Sequence, residues 1–313
     1  MTKGKGRCII PTYNEKRSAA ENAAEERKMK KIVTAMLAAI LCAAAVLSFT
    51  ACGANASKVK VIEYQLTSEE YVFAVKTGDT ETQTALNAFL KEIDDNGKLD
   101  EIVNSFFDGN SDFAYENPSS KNNCLVVATS ADFPPFEYKD GNKFTGIDMQ
   151  IAKLFADKLG KTLYIDDIGF DQVILAMGQA TSEYTLGMAG ITYSEERDKT
   201  MDFSNGYYTS AQVIIVKEGD TSFDNCKSAA DVEKVISGKA NGYKIGTQKG
   251  TTGYMYSKGD ADFGYDGFSN VDTKMYDSGA LAVKDLSNGK IDAVIIDEQP
   301  AKMISKSINA GIK

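Results

Sequence analysis

The chain has 313 residues, enough for one large domain or two ordinary ones. Its 43% hydrophobic and 25% charged residues are globular values, not those of a disordered chain. The net charge is −9; residues 1–52 hold nine basic and four acidic side chains, so residues 53–313 carry 26 against 40, a net of −14. A body that acidic argues against nucleic acid as a partner. The chain has no His and no Trp, which excludes His-based acid–base pairs, Ser-His triads and His-ligated metal sites.

Met29-Lys30-Lys31 precede an uncharged run from Ile32 to Ala51, rich in Ala, Leu and Val, followed by Cys52 and the soft stretch Gly53-Ala54-Asn55-Ala56-Ser57. A basic start, an apolar run and small residues before a cleavage point make a secretory signal. The run is also about long enough to span a bilayer as an uncleaved anchor. Phe49-Thr50-Ala51-Cys52 resembles the lipobox of a bacterial lipoprotein signal, with Phe where Leu is usual. That resemblance implies cleavage before Cys52 and lipidation of its thiol. Residues 1–28 are polar, mixed in charge and without apolar period, so translation is expected to start at Met29. The expected parts are a leader at 1–28, a signal peptide at 29–51 and a tether at 52–57. Of five cysteines, Cys8, Cys42 and Cys52 belong to these parts. Cys124 and Cys226 are expected as free thiols, since their spacing fits no metal site.

Beyond the tether, Val59 to Tyr64 and Glu70 to Lys76 read as strands, the second in alternation. Leu86, Phe89, Leu90 and Ile93 form a helical stripe that Asn96-Gly97 breaks; Leu99, Ile102, Val103, Phe106 and Phe107 form another. Residues 109–123, rich in Asn, Ser, Asp and Gly, read as a linker. Leu125 to Thr129 is a buried strand. Asp148 is placed to cap a helix through Ile151, Leu154, Phe155 and Leu159, which Gly160 ends. Thr162 to Ile165 is a strand, and Asp171 is placed to cap a helix through Val173, Ile174 and Met177. Strands follow at Leu186 to Ala189, Val213 to Val216, Tyr243 to Gly246 and Ala293 to Ile296. Helices are expected around Val232 to Ile236, around Leu281 to Leu286 and, opened by Asp297-Glu298, through Met303 and Ile304. Alternation of strand and helix predicts an α/β fold with a largely parallel sheet covered on both faces. Ligands of such sheets sit in loops at the carboxyl ends of strands.

Five blocks in order carry a resemblance. They are Thr129 to Tyr138 (TSADFPPFEY) with Gly146-Ile147-Asp148; Ala189 to Arg197 (AGITYSEER); Met201 to Ser204 with Tyr207-Tyr208; Ile245 to Gly253 (IGTQKGTTG); and Gly289 to Glu298 (GKIDAVIIDE). From about residue 124 to the C-terminus the chain resembles the amino-acid-binding proteins of bacterial ABC importers, solute-binding family 3. The turn Gln179 to Thr185 departs from the family by being longer and lacking an Asp. The resemblance implies a two-lobed periplasmic-binding-protein type II fold with the ligand in the cleft between lobes. Segment 58–108 resembles the closing segment of the same family, which normally follows the last helix, so the chain reads as a circular permutant. The implied parts are 58–108 as hinge strands and closing helices of the first lobe, 109–123 as linker, 124–212 as the first lobe and 213–313 as the second. The implied hinge includes the segments near Glu63–Val75 and Ala211–Val216.

The site can be argued from residue chemistry beside this resemblance. An amino-acid carboxylate matches a planar, permanently charged fork. Arg197 is the only arginine beyond residue 52, in a region that otherwise uses lysine throughout. It reads either as a bidentate carboxylate clamp, as the motif implies, or as a surface residue paired with Glu195 or Asp198. Thr192 and the backbone at Ala189 and Gly190 are implied to complete the carboxylate cradle. Thr251 and Thr252, at the start of a short helix, are implied to close on it from the second lobe. Asp297 ends an apolar strand, where a solitary carboxylate is costly; it reads as the ammonium ligand, as a helix cap, or as both. Phe133 and Phe170 resemble the aromatic pair that sandwiches the ligand side chain, against the alternative of ordinary core. Ser130 stands where relatives selective for basic amino acids or glutamine can place Asp. A hydroxyl cannot neutralise a cation, so a neutral polar or medium apolar ligand, cystine included, is expected.

These residues imply a lipid-anchored, extracytoplasmic, monomeric binding protein that captures a free amino acid and delivers it to an ABC permease, with no metal and no cofactor. Two other classes stay open. One is a ligand-sensing receptor module acting in trans. The other is a cyclohexadienyl or arogenate dehydratase on the same fold, for which Asp297, Glu298 or Tyr side chains would have to supply the acid or base.

Overall fold

The structure, a computed structural model, describes residues 56–312. The leader, the signal run and Cys52 lie outside the described residues. Among those described, no helix is long and apolar enough to cross a membrane. The described chain builds two main sheets, each covered by helices, with a small third sheet beside them.

One sheet has the order β1 (Val59–Ile62), β11 (Gln212–Lys217), β14 (Ala293–Asp297), β12 (Tyr243–Gln248), β13 (Val271–Tyr276). The other has β10 (Tyr208–Ser210), β2 (Glu69–Val75), β8 (Leu186–Thr192), β3 (Cys124–Thr129), β7 (Thr162–Asp167), with β9 (Asp202–Phe203) pairing β2 off that path. The largely parallel sheet expected from alternation is only half right. β14, β12 and β13 run parallel, as do β8, β3 and β7, but β1–β11–β14 and β10–β2–β8 are antiparallel. The strands that run against their neighbours are those at the ends of the two short links, Ile62 to Glu69 and Ser210 to Gln212, each of which carries the chain from one sheet into the other.

Those two links lie side by side. The Leu66 amide donates to the Gln212 carbonyl (2.8 Å), and the Gln212 amide donates to Thr67 Oγ1 (2.8 Å). They fall within the two segments read as the hinge. β1 also lies against the last helix, where the Val59 amide and carbonyl both bond the Asn309 side chain at 2.9 and 2.8 Å.

The stripes at 86–106 do not form a core of their own. Helices α1 (Thr80–Asp95) and α2 (Lys98–Phe107) share one apolar cluster with Leu125, Val127, Ile151, Phe155, Leu163 and Ile165. The Phe89 and Phe155 rings stand 5.4 Å apart. Fifty residues make a poor core alone, and this packing supplies the missing apolar partner. Residues 109–123 contain no helix or extended strand, yet they are pinned: Tyr115 bridges Phe144 and donates its hydroxyl to the Leu163 carbonyl (2.6 Å), and Asn117 bonds Ile165 twice.

Two capping expectations fail. Helices α3 (Ile147–Lys158) and α4 (Phe170–Met177) start after Gly146 and Gly169, and neither has a side-chain cap. Asp148 and Asp171 stand inside the first turns. Asp148 is fully buried and its carboxylate accepts from the Gly190 amide (3.0 Å) and the Tyr207 hydroxyl (2.6 Å). A tertiary acceptor role has displaced the local one. Gly160 does end α3, at φ +64°. Cys124 and Cys226 are free thiols.

Candidate functional site

All ten residues singled out from the sequence line one cavity between the two sheets: Ser130, Phe133, Phe170, Ala189, Gly190 and Thr192 with Arg197, and Thr251, Thr252 and Asp297 facing them. Glu137 and Gln248 complete the wall.

Arg197 lies in the single helical turn α5 (Glu195–Asp198), whose N-cap Ser194 accepts from the Arg197 amide at 3.1 Å. The surface alternative fails: the side chain is 4% exposed, and its hydrogen bonds go to the Thr192 carbonyl (2.6 Å) and the Gly250 carbonyl (2.9 Å), not to Glu195 or Asp198. Those two carbonyls come from different lobes. The guanidinium also stands 5.7 Å from the Phe170 ring centre and 5.5 Å from that of Phe263, on the loop after the helix at Thr252–Lys258. Burial pulls its pKa down to about 10, against the opposing charges of Glu69 and Asp297. It therefore stays a cation at neutral pH. Two of its five N–H donors are committed, and the rest are available to an anion.

Asp297 closes β14. It makes no capping bond to the following helix, Glu298–Ala310. Its Oδ1 accepts from the Tyr71 hydroxyl (2.5 Å) and the Ser210 hydroxyl (3.3 Å). Burial, and then the charge of Glu69, push its pKa up to about 7. An ammonium group placed beside it would oppose that rise by favouring the charged form.

Gly190 has φ +54°, and a Cβ there would sit 2.9 Å from the Phe133 ring. Its amide is committed to Asp148, so Gly190 shapes the wall and does not offer the free N–H expected of a carboxylate cradle. The Thr192 and Thr252 hydroxyls both donate to Glu69 Oε2, at 2.7 and 2.8 Å. Thr251 caps the short helix, accepting from the Tyr254 amide, and donates to the Gln248 carbonyl (2.9 Å). Ser130 donates to Asp132 at 3.4 Å. Burial and the neighbouring Asp167 raise the Asp132 pKa to about 6.

Three acidic or aromatic participants escaped the sequence reading. Glu137 lies inside the block Thr129 to Tyr138, where nothing local distinguishes it from a surface acid. It is 0% exposed; no donor reaches its carboxyl oxygens, and its own proton is shared with the neighbouring Asp148 carboxyl. Burial, and then Asp148, hold its pKa well above the carboxylate range. Glu69 is 4% exposed at the head of β2. Alternation back from the buried Tyr71 put it on the inward face, a signal that was available. Phe263 lies in a Gly- and Asp-rich loop with no periodicity, where sequence offers no signal.

Two sheets joined by two adjacent crossovers, with a charged cavity between them, define a two-lobed periplasmic-binding-protein type II fold. The sequence profile of the bacterial extracellular solute-binding proteins, family 3, matches residues 125–295, and the chain belongs to that family. The arginine-binding extracellular protein of Bacillus subtilis (strain 168) is 29% identical over 201 residues, 64% of this chain and 69% of that protein. The L-cystine-binding protein of Escherichia coli (strain K12) is 26% identical over 194 residues, 62% of this chain and 66% of that protein. Among solved structures, an ancestral arginine-binding protein bound to arginine superposes with a TM-score of 0.51 at 33% identity, covering 61% of this chain and 77% of that one. An ancestral amino acid-binding protein, a precursor of cyclohexadienyl dehydratase, gives 0.50 at 29% identity, covering 59% and 75%.

The buried carboxyls set a pH dependence. Asp148 and Asp297, each pushed to about 7 chiefly by burial, keep protons in the folded state that the unfolded chain has released above about 4. Between those values the folded state binds more protons, so stability falls as pH rises through the window. Urea midpoints should therefore drop from pH 5 to pH 8, and Asp148→Asn should flatten that slope. A midpoint that rises over the same range would contradict the assignment.

Proposed function

We propose that this protein is an extracytoplasmic binding protein that captures one free amino acid between its lobes and delivers it to an ABC importer. The observation that carries the reading is the convergence of one buried arginine and one buried aspartate from facing lobes on a single cavity. The Arg197 fork matches a ligand carboxylate, and Asp297 matches its ammonium group. Phe133 and Phe170 supply apolar walls for the rest. The related proteins are named as arginine-, L-cystine- and histidine-binding proteins, which supports amino acids as the ligand class and a binding role rather than catalysis. The dehydratase alternative has a dehydratase precursor among the similar structures; turnover of prephenate or arogenate by the wild type would favour it.

Within that class we favour a cationic side chain over the neutral one expected from Ser130. Glu137 is a buried carboxyl on the cavity wall whose partner in the protein is another acid, Asp148, with no donor on its oxygens. Two buried acids side by side cannot both ionise readily, and a ligand cation beside Glu137 would favour its charged form. Calorimetry tests both levels of the reading. Arg197→Ala should abolish amino-acid binding and Arg197→Lys weaken it strongly, since losing one partner of a desolvated charge pair costs roughly 3–5 kcal/mol. Asp297→Asn should be nearly as damaging. Glu137→Gln should weaken arginine at least tenfold and leave neutral amino acids almost unchanged. Near-wild-type affinity in Arg197→Ala would sink the site, and equal losses for arginine and glutamine in Glu137→Gln would sink the cationic preference.

We also read the chain as a circular permutant with lobes at 124–212 and 213–313. The family match begins only at residue 125, while β1 and β2 complete both sheets and α1 and α2 complete the first-lobe core. Permutation is tolerated where old termini are close at the surface. A chain running 124–313 and then into 57–108 should fold and bind the same ligand; failure of that chain alone to bind would argue against it.

Anchorage through a lipid on Cys52, a monomeric state and contact with a permease complete the reading. Cys52→Ser should release the protein from the membrane fraction; retention at the mature size would exclude lipidation at that residue.

A further inference from the structure

Glu69 is the least expected member of the site. It opens β2, directly after the short crossover from the other sheet. Its carboxylate is buried and collects hydrogen bonds from three separate pieces of the molecule. Oε1 accepts from Thr67 Oγ1 (2.7 Å), inside the crossover. Oε2 accepts from Thr192 Oγ1 (2.7 Å), at the end of β8 on the first lobe. The same oxygen accepts from Thr252 Oγ1 (2.8 Å), on the second lobe. Gln212 Nε2, from the strand that begins just past the second crossover, lies 3.4 Å from Oε2 and 3.1 Å from Thr252 Oγ1.

We propose that Glu69 is a positioning residue for ligand capture: one carboxylate at the crossover ties Thr192 of one lobe to Thr252 of the other and so holds the lobes closed over the bound amino acid. This rests on the amino-acid-binding reading. The argument is geometric. Glu69 stands at the first residue of β2, where the crossover enters the first-lobe sheet. A rotation that separates Thr192 from Thr252 must break at least one bond to Oε2, and in this buried place water does not replace it until the cleft opens. Oε2 thus stands beside the Arg197 bond to the Gly250 carbonyl as a second polar link that opening must break. The same carboxylate is also the leading opposite charge acting on Arg197. It thus steadies the cation that would meet the ligand without bonding to it.

The signature of such a residue is kinetic. It should act on release, because capture begins from separated lobes in which the two-lobe bridge is not yet made. The test uses the full chain and stopped-flow measurement with L-arginine, with L-histidine and L-cystine in parallel, on wild type, Glu69→Ala, Glu69→Asp and Glu69→Gln. Glu69→Asp keeps the charge but shortens the reach, so it separates bridging from charge. Glu69→Gln keeps one acceptor oxygen. The expected result is a dissociation rate raised at least tenfold in Glu69→Ala and Glu69→Asp, a smaller rise in Glu69→Gln, and association rates within threefold of wild type. Lobe labels read by energy transfer should report a less closed liganded state in the same order. Circular dichroism checks the fold, and Glu69→Gln and Glu69→Asp carry the test if Glu69→Ala does not fold. Dissociation within twofold of wild type in the folded variants, or a loss confined to melting temperature, overturns the proposal. If the wild type binds none of the three amino acids, the functional reading has failed instead, and the two failures are distinguishable.

Discussion

A guanidinium withdrawn from water is the constraint on which the rest of the site depends. Desolvating an ion is costly, and the cost is recovered only where the geometry of opposite charges and acceptors is good. Arg197 meets this condition with a carbonyl from each lobe, two aromatic rings and the fields of Glu69 and Asp297. Each of these partners requires a particular piece of the fold. Thr192 needs the end of β8, Gly250 needs the turn after β12, and Asp297 needs the end of β14. The carboxyl ends of these strands must therefore face one another across the cavity, and the two short crossovers join the sheets there.

The same economy explains the acids around it. Asp148, Glu137, Asp297 and Glu69 are all buried near the cleft. They divide into acceptors that are satisfied inside the protein and one that is not. Asp148 is occupied by Gly190 and Tyr207, and Glu69 by three hydroxyls. Glu137 has only the neighbouring acid Asp148 and no donor. Asp297 is intermediate, held by Tyr71 and Ser210 on one oxygen. The two acids left with unused acceptor capacity both line the cavity, which is where a ligand's cationic groups would complete them.

Closure and chemistry are linked because the residues that recognise are also those that connect. Arg197 and the Thr192–Glu69–Thr252 bridge both span the lobes, and neither can be fully formed with the lobes apart. Binding domains of this kind convert occupancy into a change of shape through hinge closure. In this chain the coupling runs through a few buried polar bonds beside the crossovers, next to an apolar cluster that takes residues from both sheets.

How much of this the sequence carried depends on the range of the interaction. The strands at 125–129, 186–189 and 293–296, and the helical stripes at 86–107, were legible because apolar period is a local property. The ten cavity residues were legible because their motifs resemble a family in which such positions converge. The lone arginine was legible from composition. Other features were decided only by tertiary structure. Asp148 and Asp171 looked like helix caps, and only the approach of Gly190 and Tyr207 made Asp148 a buried acceptor. The parallel sheet expected from alternation became two mixed sheets, because the strands flanking the two crossovers, β1, β2, β10 and β11, run against their neighbours. Glu69 and Glu137 are ordinary acids in the sequence. Their meaning comes from which hydroxyls, if any, the fold brings within bonding distance, and no local pattern encodes that distance.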